Sequence, residues 1–185
     1  MKRFVLFAAL VCCSISTLLA QNNENYYVYG IDFSHAKVYA ASEPESAFAD
    51  AFQAINLLIL TEPKKYDFNR FCGCKTSLVL DPIMKVLSTA DYSNLKTYSK
   101  SFPEIDYAKC VKEYVLPQKE GTGVVLFAKF LDKPEGRAIY TVVVFDIATR
   151  EIQIQQDVSG LAGGFGLRNY WAESLFVILS DYKLK

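Results

Sequence analysis

The stretch Gly123–Gly160, GVVLFAKFLDKPEGRAIYTVVVFDIATREIQIQQDVSG, reads as three consecutive strands. Gly123–Leu131 and Ala138–Ile147 are nearly continuous apolar runs, as expected of strands covered on at least one face by helices. The DKPEG segment between them is a turn on chemical grounds, with proline fixing φ and glycine free to take positive φ. Glu151–Val158 then alternates: Ile152, Ile154 and Val158 share one face and glutamines occupy the other, the pattern of a sheet half exposed to water. Short turns between such strands predict an antiparallel meander.

Toward the C-terminus, a helix from about Gly166 to Tyr182 follows, with Leu167, Trp171, Leu175, Ile178 and Tyr182 at helical spacing. Toward the N-terminus, Tyr26–Tyr39 is rich in aromatic and β-branched residues and reads as a first strand, bulged at Gly30. Ser42 and Glu45 have capping-box spacing, and Phe48, Ala51, Phe52, Ile55, Leu58 and Ile59 then form one apolar helical face that Pro63 stops. Thr76–Leu80 is a short strand, Asp81-Pro82 opens a helical turn, and a helix is expected from Pro103 to about Val115; Ser88–Phe102 has no clear pattern. The predicted fold is α/β (α+β), with a mixed sheet of about five strands in the order β-α-β-α-β-β-β-α. Its last three strands form the meander, and helices pack on the sheet.

Residues Met1–Ala20 read as an export signal: Lys2 and Arg3 precede the apolar run Phe4–Cys13, and small residues lead to a cleavage point after Ala20. Cys12 and Cys13 lie inside it, but Leu10-Val11-Cys12 lacks the small residue usual before a lipidated cysteine, so no lipid anchor is expected. Residues 21–185 are read as one domain, with 18 basic and 20 acidic residues. That balance gives no support to nucleic acid as a partner. No later run reaches the roughly 20 apolar residues of a membrane span. The expected location is the periplasm or the exterior of the cell.

The segment Ser159–Trp171, SGLAGGFGLRNYW, puts four glycines ahead of an arginine and a helix. Gly163, Gly164, Gly166, Arg168 and Asn169 are therefore the candidate ligand or partner residues, because a helix N-terminus with exposed N–H groups can hold an anion. Neither the dinucleotide fingerprint nor the Walker pattern is present. A tight corner that lets the helix pack on the sheet accounts for the same letters.

Cys72 and Cys74 in FCGCK, together with Cys110, are disulfide candidates in an oxidising compartment; buried or idle thiols and a redox pair are the other readings. His35 and Asp32, three residues apart, would point to opposite faces of an extended strand, which makes them a poor acid–base pair. No second histidine exists to complete a separate dyad with a cysteine. No catalytic residue, cofactor or metal is expected.

FDIATREIQIQQDVSG, followed by a glycine turn and a terminal helix, resembles small exported or lipid-anchored proteins of bacterial envelopes. Among these are the periplasmic domain of the curli secretion channel and the lipoproteins that activate penicillin-binding proteins. Asp146 and Thr149 match the D-x-x-T turn of that group, and Arg150 stands where the pattern usually has glycine. GGFGLRNYWA and INLLILTEPKKYD also resemble uncharacterised exported bacterial proteins. The resemblance implies an envelope protein of this fold; with the export signal and the absence of a complete catalytic constellation, the expectation is an exported, non-enzymatic binding or assembly module of the envelope with a protein partner. The alternative is a protein that holds a small anion or nucleotide at the glycine turn and Arg168.

Overall fold

The computed structural model describes residues 25–184; the expected signal 1–20, with Cys12 and Cys13, lies outside them. Among these described residues, seven strands and five helices follow in chain order. They are β1 Tyr26–Asp32, β2 Lys37–Tyr39, α1 Glu45–Thr61, α2 Phe68–Cys72, β3 Thr76–Leu78, α3 Asp81–Thr89, β4 Lys96–Thr97, α4 Tyr107–Glu113, β5 Thr122–Asp132, β6 Arg137–Asp146, β7 Ile152–Leu161 and α5 Leu167–Asp181.

The sheet has seven strands rather than about five, and it is mostly parallel. The pairs β1–β3, β1–β5, β2–β4 and β2–β5 run parallel, while β5–β6 and β6–β7 run antiparallel. Two local causes account for the difference. The run Tyr26–Tyr39 is two strands, because the Asp32 carboxylate accepts hydrogen bonds from the Ser34 N–H (2.8 Å) and hydroxyl (2.6 Å) and bends the chain out of extension. The strand resumes as β2, and the two pieces lie end to end along β5: β1 beside Thr122–Phe127, β2 beside Phe130–Asp132. The patternless segment Ser88–Phe102 contributes the two-residue β4 beside β2.

Layering follows from two neighbours on β6. The Tyr140 hydroxyl meets Ser174 of α5 at 2.9 Å, and the Thr141 hydroxyl meets Tyr107 of α4 at 2.8 Å. Adjacent strand residues point to opposite faces, so α5 and α4 lie on opposite sides of the sheet. α1 joins α5, since Phe33 stacks on Phe52 of α1 (centroids 4.1 Å apart) and meets Tyr140 edge-on. Phe48, Phe52, Ile55 and Ile59 of α1 and Trp171, Leu175 and Ile178 of α5 are all fully buried in this layer.

Glycine positions tie the layers together. β1 is bulged between Val28 and Gly30, where Gly30 has φ 100°. The bulge lets Asn56 of α1 reach Ile31: its Oδ1 accepts the Ile31 N–H (2.8 Å), and its Nδ2 donates to the Ile31 carbonyl (2.9 Å). β3 pairs with β1 only as far as Val28, so the Asn56 amide takes the place of a neighbouring strand where the ladder stops.

The capping box does not form. α1 starts at Glu45 after Pro44, with no side-chain cap, and the Glu45 carboxylate pairs with Lys96 at 3.3 Å. The helix expected from Pro103 begins instead at Tyr107, where the Asp106 carboxylate accepts the Lys109 N–H. In the β6–β7 turn, Asp146 accepts both the Thr149 N–H (2.7 Å) and hydroxyl (2.9 Å), which holds its carboxyl below the usual range. Arg150 takes the left-handed φ of 64° that glycine would otherwise supply and donates to the Val111 carbonyl of α4.

Candidate functional site

The glycine-rich segment is a corner that turns the chain from β7 into α5. After β7, the Ala162 N–H bonds to the Gly136 carbonyl and the Gly163 N–H to the Tyr170 carbonyl. Gly166 precedes α5 with φ 82° and gives it no side-chain cap. Asn169 donates to the Phe165 carbonyl (3.1 Å), and Arg168 Nε donates to Asn169 (3.0 Å).

The structure does bring Gly163, Gly164, Arg168 and Asn169 to one cavity of about 340 Å³, which Lys65, Glu62 and Glu173 also line. Lys65 is paired with Glu173 at 3.3 Å. Two carboxylates beside two cations leave no field that selects an anion. Phe165, at the tip, is 96% exposed.

No disulfide joins Cys72, Cys74 and Cys110, so none of the candidate bridges is present. The geometry explains this for Cys110, which lies on α4, whereas Cys72 ends α2 on the α5 side of the sheet. Cys110 instead meets His35, Sγ to Nε2 3.4 Å, at the break between β1 and β2. A cleft of about 170 Å³ lined by Ser34, His35, Lys37, Asp91 and Tyr92 opens beside it. Beneath lies the buried Asp32 carboxylate, which accepts the Tyr114 hydroxyl at 2.6 Å.

This pairing spans 75 residues, and no local pattern in the sequence announces it. Its chemistry is that of a resting thiol. Burial, followed by the Asp32 charge, pushes Cys110 up to about 11, and burial pushes Cys72 up to about 12, whereas an activated nucleophile needs a lowered value. At pH 7.5 an alkylating reagent should modify native Cys110 about a hundredfold more slowly than a free thiol and should react fully after denaturation. Fast native labelling, followed by peptide mass spectrometry, would contradict this account. Among the described residues no group of three or more His, Cys, Asp or Glu is placed to hold a metal ion.

The remaining feature is an edge. β7 pairs only with β6 among the described residues. The Ala162 N–H points to β6, so the even residues of regular β7 face inward, and Gln155, Asp157, Ser159 and Leu161 turn their N–H and C=O groups outward. Open edges are commonly blunted by Lys or Pro. β7 has neither, and its one charge, Asp157, is held by Lys129 at 2.7 Å. The opposite margin, by contrast, is made of the short β3 and β4.

No helix among the described residues is long and apolar enough to cross a membrane. Compared with protein-family models, with curated proteins and with solved structures, the chain matches none.

Proposed function

We propose that this chain is an exported, non-enzymatic binding or assembly module of the bacterial envelope that acts through a protein partner. The edge of β7 carries the reading: among the described residues, four successive outward positions offer main-chain donors and acceptors that no strand pairs, and the strand ends at exposed Leu161, ahead of exposed Phe165 in the corner. An extended segment of another protein adds to such an edge through main-chain hydrogen bonds. The leader-like pattern of residues 1–20 and the D-x-x-T turn at Asp146 support the envelope setting. The anion-site alternative is weaker, because Glu62 and Glu173 share the cavity with Arg168.

Ser159→Pro removes one outward N–H and the side-chain hydrogen bond from Arg137, and leaves the main-chain ladder to β6 intact. A partner purified with the wild-type protein from its own envelope should be lost from the variant, while both proteins stay folded and melt within a few degrees of each other. A partner held equally by both would move the binding surface off β7, and turnover that copurifies with the protein through several columns would overturn the non-enzymatic reading.

A further inference from the structure

We infer that β7 pairs with β7 of a second copy of this chain, antiparallel about Gln156, so that two sheets join into one; the inference rests on reading β7 as a docking edge. Hydrogen-bonding phase restricts the choices. The outward residues are odd-numbered, and an antiparallel neighbour must place its own outward residues opposite them. A twofold axis normal to the sheet preserves the faces, so the axis must fall on a residue rather than between two.

Centring on Asp157 would set the two Asp157 carboxylates against each other, and like charges directly opposite are destabilising. Centring on Gln155 would place Ile154 opposite Gln156. Centring on Val158 would place Gln155 opposite Leu161. The Gln156 centre avoids all three: Ile154 faces Val158 of the other copy on the side that carries α5, and Gln155 faces Asp157 on the other side.

Each contact occurs twice. The apolar pair extends the buried face of the sheet, where Val158 is already in the core and Ile154 packs against it. The amide of Gln155 can donate to the Asp157 carboxylate, whose own charge is balanced by Lys129. Two copies can therefore approach along this edge without facing like charges.

The register makes opposite demands on one exposed side chain. In Gln155→Asp, two carboxylates meet Asp157 of the other copy; in Gln155→Lys, two ammonium groups do. Sedimentation equilibrium on the purified wild-type protein should show a dimer. Gln155→Asp should raise its dissociation constant about tenfold, and Gln155→Lys should lower it about tenfold, because each cross-strand pair is counted twice. Gln155 is exposed, so thermal melting at high dilution should be the same for all three proteins.

A wild-type protein that stays monomeric at high concentration overturns the inference, as does a dimer indifferent to both charges. The broader reading fails separately. A monomer whose partner is retained by wild type and lost in Ser159→Pro removes only the self-pairing. A dimer with the predicted charge response supports the self-pairing whether or not a second protein binds.

Discussion

Gly160→Ala should lower the melting temperature by about 10 °C. Gly160 lies on β7 where α5 crosses it, and a Cβ there would sit 2.1 Å from the Ser174 carbonyl oxygen and 2.9 Å from its carbon. Those atoms are backbone, so relief requires moving the helix. The helix is anchored by fully buried Trp171, Leu175 and Ile178 and by the Tyr140–Ser174 hydrogen bond. Overpacking of this kind costs about 3 kcal/mol, and each kcal/mol moves the midpoint of a domain this size by about 2–4 °C. Gly163→Ala is the matched control: its nearest neighbour would be the Glu173 Cγ at 3.7 Å, and its midpoint should barely move. Equal melting of the two variants in a calorimeter would mean that the helix is not held as described.

Asn56→Leu should cost about 3–5 kcal/mol, read as a fall in the denaturant midpoint at unchanged slope. The side chain is fully buried and makes three hydrogen bonds, to the Ile31 N–H, the Ile31 carbonyl and the Phe52 carbonyl. Leucine of similar size leaves the Ile31 pair without partners in a buried layer, and each buried unsatisfied group costs about 1–3 kcal/mol. The site is also coupled to Gly30, where a Cβ would lie 2.3 Å from Asn56 Oδ1. Gly30→Ala and Asn56→Ala should therefore be less destabilising together than the sum of the two, although the positive φ at Gly30 keeps the double variant below wild type. Strict additivity would show that the amide is not what requires glycine there.

The parts of this structure legible in the sequence are those with local causes. β5 and β6 announce themselves by continuous apolar runs, α1 by an apolar face that ends before Pro63, and the bulge by a glycine inside a strand pattern. Three of the four glycines of the corner serve two of the reasons read from the sequence: Gly160 permits close approach to α5, and Gly164 and Gly166 supply positive φ.

What escaped has tertiary causes. The split of β1 from β2 depends on Asp32 preferring Ser34 and Tyr114 to an extended chain, and β4 is two residues recruited by β2. The Ser42–Glu45 box yields to Lys96, which offers Glu45 a partner from elsewhere in the chain. Cys110 finds His35 only because α4 folds back over the strand break. The β7 edge was half visible: its alternation showed in the letters, but its position at the margin of the sheet depends on which strand neighbours which.

The arrangement of β1 and β2 end to end along β5 also bears on how the chain is assembled in time. Their pairing partner begins at Thr122, about 90 residues after Asp32, whereas β5, β6 and β7 follow one another through short turns. Closing so long a loop is slow compared with forming hairpins, so the C-terminal strands are the natural nucleus. During synthesis the aromatic segment YYVYGID leaves the ribosome early and waits for a strand that does not yet exist. For that interval only the short β3, which pairs with it as far as Val28, can cover an edge of this β-prone segment, and the chain's exposure to misassociation is greatest before its second half has been made.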